Sequence, residues 1–181
     1  MNGRKRESVI LSLIQALRDK DSWCGETHVQ KSTYFLQELM RVPLELDFIL
    51  YKHGPFSFDL KDELSSMKSD MILKSISNEP YGPSLALGST SNQILENYPN
   101  TIEQYKREVQ YVSEKLAKCK VSELERLATA LYVKNNKEHD GTSESRADIL
   151  IKLKPHVSKE EAKQAIETVD NYISEAEVAL V

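Results

Sequence analysis

The stretch Tyr-Lys-His-Gly-Pro-Phe-Ser at residues 51–57 places the strongest single constraint on the fold of this chain. Residues 46–51 lead into it and are apolar and rich in strand-favouring side chains, so they predict a short strand buried on at least one face. Gly54 and Pro55 break that strand, and Ser57 is a good N-cap for a helix. The 51–57 corner is therefore predicted to join a buried strand to a helix.

Two helices are predicted ahead of this corner. Apolar residues recur at the helical period over residues 4–19, which predicts the first helix. Thr27 and Gln30 form a capping-box pattern, in which two side chains satisfy each other's backbone donors at a helix start. The second helix is accordingly predicted over residues 28–41, ending ahead of Pro43.

A third helix and a hairpin are predicted after the corner. Leu60, Leu64 and Met67 repeat at helical spacing and mark the third helix. Residues 71–77 and 84–87 are two short segments separated by turn-forming residues, which is typical of a β-hairpin. Helix, helix, strand, helix and hairpin is the order of a winged helix-turn-helix, in which the third helix reads DNA and the hairpin is the wing.

The second half of the chain is predicted to be helical. The polar segment 88–92 is the predicted boundary, and residues 98–119 carry a heptad-like apolar seam that predicts one long helix. That helix either packs across its own domain or forms a homodimer seam. The predicted fold class is therefore mainly α (α+β), with a winged-helix-like module at residues 1–90 and a helical extension at residues 91–181 packed on it as one compact unit.

Two further helices of this extension are predicted to begin with Ser-x-x-Glu capping boxes. Ser122 and Glu125 form the first box, and Ser158 and Glu161 form the second. The polar run at residues 134–141 is predicted to be a loop.

Charge and composition restrict the function classes. The chain has 181 residues with 24 Lys+Arg and 28 Asp+Glu, a net charge of -4, which argues against strong sequence-independent binding to nucleic acid. Cys24 and Cys119 are far apart and lack the spacing of metal ligands, which fits a reducing compartment without structural zinc. No apolar run approaches the roughly 20 residues that span a bilayer. We therefore expect a cytoplasmic protein with no membrane partner.

The sequence carries no convincing catalytic set. The four histidines lie on different predicted elements without metal-ligand spacing. There is also no glycine-rich phosphate loop and no nucleophile motif. We therefore predict no catalytic residue, no metal and no cofactor.

The 51–57 corner offers the best candidate for a binding site. His53 lies between a predicted strand and the Gly-Pro break, where its ring would bond a nearby backbone carbonyl and fix the turn. The second interpretation makes Tyr51, His53, Phe56 and Ser57 a recognition surface for a protein partner, because a rigid corner presents side chains at low entropic cost.

Nucleic-acid contacts have weaker candidates. The outer face of the third helix carries more carboxylates than amines, with only Lys61 and Lys68 to contact phosphates, and it has no Arg, Asn or Gln to read a base edge. Arg4, Lys5 and Arg6 form a short basic start that is a further candidate. DNA binding therefore stays an alternative.

Four segments resemble those of a known group of bacterial proteins. Residues 27–37, Thr-His-Val-Gln-Lys-Ser-Thr-Tyr-Phe-Leu-Gln, resemble the x-LQK-xx-YF-xQ second helix of the YwgA-like proteins and of the related Panacea, or SocA-like, antitoxin domain. The 51–57 corner is similar to the Y-x-HGP-xS corner of the same group. Residues 124–132 and 153–156 are similar to later segments of YwgA-like proteins. The chain departs from the pattern at Val29, where leucine is usual.

This resemblance implies a compact, mostly helical bacterial protein with a winged-helix-like start. Panacea domains are associated with neutralising toxins, and SocA-like members with delivering a client to a protease. We therefore expect a non-enzymatic interaction protein, antitoxin-like or defence-associated, whose partner is a toxin or a defence effector. The alternative is a winged-helix DNA-binding transcriptional regulator. Weaker alternatives are a proteolysis adaptor and a hydrolase with an unrecognised site around His53.

Overall fold

The computed structural model describes residues 1–136 and 141–179, and over these the chain is mainly helical, as the sequence predicts. It also contains two small antiparallel sheets. The helices are α1 (Gly3–Asp19), α2 (Glu26–Glu38), α3 (Phe58–Ser69), α4 (Ser91–Asn97), α5 (Pro99–Gln104), α6 (Lys106–Leu116), α7 (Val121–Asn135), α8 (Ser143–Leu153) and α9 (Lys159–Ala179). The strands are β1 (Ile49–Tyr51), β2 (Gly54–Phe56), β3 (Leu73–Asn78) and β4 (Tyr81–Leu87).

Helix α2 lies at the centre of the fold. Residues 28–36 are all buried, because α1, α6, α7, β2 and β4 pack around the helix. The apolar side chains buried around it form one cluster to which both halves of the chain contribute. The segment predicted as the boundary, residues 88–92, is held against the end of α3, since the Thr90 hydroxyl donates to the Asp70 carbonyl at 2.8 Å.

The predicted capping box of α2 is wrong. The helix begins at Glu26, one residue before Thr27, and its N-cap Gly25 makes no side-chain hydrogen bond. Gln30 is instead fully buried and bonds to a residue of the corner. The helix also ends earlier than predicted, at Glu38, because the chain turns through Arg41 in the left-handed region, at φ 59°.

The predicted buried strand before the corner is also wrong in part. Only Ile49–Tyr51 forms a strand, and both of its end residues are exposed. Strand β1 pairs with β2 in an antiparallel hairpin, with Ile49 opposite Phe56 and Tyr51 opposite Gly54. The 51–57 corner is thus the tip and second strand of a hairpin, and the helix follows that strand. The predicted N-cap is confirmed, since the Ser57 hydroxyl accepts from the Leu60 amide at 3.2 Å.

The hairpin after α3 has the predicted form. Strands β3 and β4 are antiparallel, with Leu73 opposite Leu87, and they pack against α3 and α1. The chain therefore runs in the order α1, α2, hairpin, α3, hairpin. The first hairpin is an element that the sequence pattern did not predict.

The single long helix predicted over residues 98–119 is divided into α5 and α6. Tyr105 lies between them outside helical geometry, at φ -108° and ψ 15°. Val109, Val112 and Leu116 are buried, because α6 packs on α1 and α2. The seam therefore packs across the chain's own core, the first of the two predicted alternatives, and its central residues are already covered.

The remaining predictions concern the capping boxes of the C-terminal helices and the loop at residues 134–141. The Ser122 capping box is wrong, because α7 begins at Val121 and its N-cap makes no side-chain hydrogen bond. The Ser158 capping box is confirmed, since the Ser158 amide donates to Glu161 at 3.0 Å and the Glu161 amide donates to the Ser158 hydroxyl at 3.2 Å. Helix α7 includes the first two residues of the predicted 134–141 loop, and residues 137–140, with His139, lie outside the described residues.

Candidate functional site

Gln30 joins the central helix to the end of the first hairpin. Its Nε2 donates to the Ser57 carbonyl at 2.9 Å, and the Ser57 amide donates to its Oε1 at 3.1 Å. Both residues are fully buried. The two hydrogen bonds therefore fix the backbone at the point where β2 becomes α3, and a buried amide pair of this kind is costly to lose.

Two buried lysines hold the backbone of the same hairpin. The Lys31 ammonium donates to the Pro55 carbonyl at 2.8 Å, and the Lys154 ammonium, which comes from the end of α8, donates to the Lys52 carbonyl. Lys31 is 1% exposed and Lys154 is also buried. Desolvation lowers the pKa of Lys31 to about 8 and also lowers the pKa of Lys154. These ammonium groups bind backbone carbonyls and do not face solvent as free amines.

Glu125 lies beside both lysines and also contacts the hairpin tip. Its carboxylate opposes the lowering of both lysine pKa values. Its Oε1 lies 3.1 Å from Nδ1 of His53, whose side chain is exposed. His53 was predicted to bond a backbone carbonyl, but the structure pairs it with this carboxylate. The turn is held through α7.

Gly54 meets two requirements at once. Its φ is 88°, in the left-handed region that favours glycine. A Cβ at this position would also lie 2.9 Å from the Thr129 hydroxyl of α7. Any other residue at this position would be strained in its backbone and would displace the Thr129 side chain.

An exposed apolar surface lies on the outer side of the hairpin. The rings of Tyr51, Phe56 and Phe58 contact one another, with centroid separations of 5.9 Å, 5.6 Å and 5.1 Å. Ile49 is the cross-strand partner of Phe56. Three of these four side chains are nearly half exposed, Ile49 at 43%, Tyr51 at 45% and Phe58 at 47%. We call these four residues the aromatic face.

The aromatic face contains part of the predicted recognition surface. Tyr51 and Phe56 belong to it, and His53 is exposed at the hairpin tip. Ser57 does not, because it is fully buried and its hydroxyl caps α3. Phe58 was missed, since the sequence assigns it only to the first turn of a helix. Ile49 was missed as well, although it alternates with Tyr51 on one strand.

Two of the candidate nucleic-acid contacts, Arg4 and Arg6, already pair with carboxylates of this chain. Nε of Arg6 lies 2.7 Å from the Glu63 carboxylate of α3, and its Nη1 donates to the Leu44 carbonyl at 3.0 Å. Arg4 pairs with Glu7 at 2.8 Å. Lys5 and Lys61 are exposed and Lys68 is half-buried, so these three lysines retain the most freedom to meet a phosphate.

Metal ligands and membrane-spanning helices are both absent from the described part of the chain. Among residues 1–136 and 141–179, no group of His, Cys, Asp and Glu side chains is placed to hold a metal ion. Within the same ranges no helix combines the length and the apolar character that crossing a membrane requires. His28 is buried and bonds the Leu116 carbonyl at 2.8 Å, and burial lowers its pKa.

No protein-family model matches this chain, and no curated protein matches its sequence. The resemblance to the YwgA-like and Panacea group therefore stays a prediction. The residues that carry it are nevertheless in direct contact, since Gln30 and Lys31 of the first segment bond Ser57 and Pro55 of the second.

Replacing Gln30 with leucine should lower the free energy of unfolding by about 2 kcal/mol, because the buried Ser57 amide loses its acceptor. Urea unfolding followed by circular dichroism measures this change. Gln93→Leu, at an exposed position of α4, is the matched control and should change the value by less than about 0.5 kcal/mol. Equal effects of the two substitutions would show that the Gln30 hydrogen bonds do not support the hairpin.

Lys31→Met should change the pH dependence of stability. The pKa of Lys31 is about 8 in the folded chain and ordinarily 10.5, so between these values the unfolded chain holds a proton that the folded chain has lost. Stability therefore rises with pH in this window in the wild type, by roughly 2–3 kcal/mol relative to Lys31→Met. Unfolding in urea at pH 7.5, 9 and 10.5 measures the difference. The exposed Lys61→Met should show no such change, and a pH-independent difference for Lys31→Met would contradict the prediction.

Proposed function

We propose that this chain is a non-enzymatic bacterial interaction protein that binds a protein partner through the aromatic face. The observation that carries the proposal is the exposure of three clustered side chains, Ile49, Tyr51 and Phe58, at 43%, 45% and 47%. Aromatic side chains that are exposed and clustered are the usual anchors of protein interfaces. The resemblance to antitoxin domains suggests that the partner is a toxin or a defence effector.

The buried side of the hairpin supports this proposal. Lys31 and Lys154 bind two carbonyls of the hairpin on its buried side, and Gln30 binds Ser57, the residue that directly follows it. A hairpin fixed in this way keeps its outer rings in one arrangement before the partner arrives. Pre-organisation of this kind reduces the entropy lost on binding.

An enzyme is the weaker interpretation. His53 and Glu125 form a carboxylate–imidazole pair, which can orient a general base. The hydroxyl of the corner, Ser57, is buried and caps α3, so it is not available as a nucleophile. A proteolysis adaptor would use the aromatic face for its client, and the identity of a captured partner separates that role from toxin neutralisation.

A winged-helix transcriptional regulator is the second candidate. The order of α1, α2, α3 and the β3–β4 hairpin supports it, because this is the order of a winged helix. The exposed face of α3 argues against it, since Asp59 and Asp62 flank Lys61. We therefore rank DNA binding below protein binding.

We further propose that the chain acts in the cytoplasm. Cys24 and Cys119 are free thiols, and burial raises the pKa of Cys24 to about 11 and that of Cys119 to about 12. Thiols held in this way are poor nucleophiles and need no oxidising compartment.

Affinity capture from the native host should recover one protein in stoichiometric amount with the wild-type chain. Tyr51→Ser and Phe58→Ser should each reduce this recovery at least about tenfold, because interface aromatic anchors contribute 2 kcal/mol or more. Tyr81→Ser is the matched control, since Tyr81 is 70% exposed on the other hairpin. Loss of a partner with all three variants, or with none, would overturn the assignment of the aromatic face. Absence of any stoichiometric partner would overturn the function.

Duplex DNA should bind weakly and without a specific site. Fluorescence anisotropy at 50 and 200 mM salt, with wild type and Lys61→Ala/Lys68→Ala, tests this expectation. Binding that weakens steeply with salt, and weakens again in the double variant, would favour the regulator instead, because phosphate contacts release counterions.

A further inference from the structure

A cleft of about 340 Å³ lies next to the hairpin, between the last turns of α2 and α7 and the segment that leads into β1. Its described lining combines aromatic rings, carboxylates and amides, and it includes Tyr34, Phe48, Tyr132, Glu38, Asp47 and Asn135. We call it the Tyr34 cleft. None of the described residues that line it is basic.

The aromatic wall of the Tyr34 cleft is fixed in position. The rings of Tyr34 and Phe48 meet edge to face at 5.1 Å, and the Tyr34 ring also packs against Phe35 at 6.3 Å. Gln37 holds the segment before Phe48, because its Nε2 donates to the Leu46 carbonyl at 3.0 Å and its Oε1 accepts from the Leu46 amide at 2.9 Å. The wall therefore does not need to form when a ligand binds.

Tyr34 contributes a phenol to the lining of this cleft. The residue is only 3% exposed. Burial raises the pKa of Tyr34, and the Glu38 carboxylate adds to that shift, so the phenol is neutral. A neutral phenol hydroxyl can both donate and accept a hydrogen bond. The Tyr34 hydroxyl is therefore suited to pair with a polar ligand atom in the cleft.

The charge of the lining selects the kind of ligand. Glu38 and Asp47 supply negative charge, and one oxygen of Glu38 accepts from Gln37 at 2.9 Å, which holds that carboxylate in place. Aromatic faces and carboxylates together favour an organic cation, through cation–π attraction and ion pairing. We propose that the Tyr34 cleft binds an alkylammonium group, with Phe48 and Tyr132 against its methylene chain and Asp47 and the Tyr34 hydroxyl near its charge.

The ammonium group has two chemical sources, a free aliphatic amine and a lysine side chain of a protein partner. Residues 47–51 connect the cleft to the aromatic face, so one partner can reach both. The proposal does not depend on the function proposed above, because binding of a small amine is measured without any partner. Failure of one therefore leaves the other standing.

Titration calorimetry on the full chain tests the site with 1,5-diaminopentane and with Nα-acetyl-lysine methylamide. We expect saturable binding of at least one, and Asp47→Asn should weaken it about tenfold because a charge-assisted contact is lost. Tyr34→Phe removes a single oxygen and should weaken binding about threefold. Asp62→Asn, on the exposed face of α3, is the matched control and should leave binding unchanged. Circular dichroism verifies that each variant is folded.

The relative affinities of the two amines identify the source of the ammonium group. Preference for the lysine derivative supports a partner's lysine, and preference for the diamine supports a free amine. Equal binding supports the alkylammonium site itself. Two neutral compounds, 1,5-pentanediol and methyl glucoside, complete the set. The proposal is overturned if neither amine binds saturably, if a neutral compound binds as well as the amines, or if Asp47→Asn and Tyr34→Phe both bind like wild type.

Discussion

The hydrogen bonds from Gln30 and Lys31 to the backbone of residues 55–57 are the constraint on which the first hairpin and its aromatic face depend. Neighbouring residues on a helix point about 100° apart, and Gln30 and Lys31 reach two different carbonyls of the corner, those of Ser57 and Pro55. Both side chains are buried, as are all of residues 28–36 of α2. The central position of α2 therefore brings both side chains to the hairpin and fixes its backbone.

This arrangement explains why the local sequence pattern predicts the wrong cap for α2. A helix with one solvent face shows an apolar stripe and an enclosed helix is ordinarily apolar all round, whereas α2 is enclosed and carries polar residues that bond distant backbone. Thr27 and Gln30 have the spacing of a capping box, but Gln30 finds its partner in Ser57, across the fold. The competing partner lies outside the range of any sequence window, so the pattern alone cannot identify it.

Short-range signals correctly predicted the caps of two other helices, although the Ser122–Glu125 capping box is wrong. Ser57 caps α3, and Ser158 and Glu161 cap α9, because each cap needs only atoms within one helical turn. The first hairpin could not be predicted in the same way. Strand β2 is only Gly54–Phe56 and contains a proline, and its position depends on α7 and α2, which pack against it. Tertiary support, and not strand propensity, makes it a strand.

In the candidate site, too, residues defined by local sequence are predictable and residues that depend on tertiary contacts are not. Tyr51 and Phe56 are identifiable from the corner itself, whereas Phe58 becomes part of the aromatic face only because α3 begins directly after β2.

The buried charged groups beneath the aromatic face lower the stability of the fold. An apolar side chain would avoid the desolvation that lowers the pKa of the Lys31 ammonium, so the lysine places the hairpin backbone at some cost in folding free energy. A left-handed Gly54 against α7 adds a second local constraint. Departures from local rules concentrate at functional sites, and here they lie directly beneath an exposed cluster of rings, which is the physical reason for proposing a binding function for this hairpin.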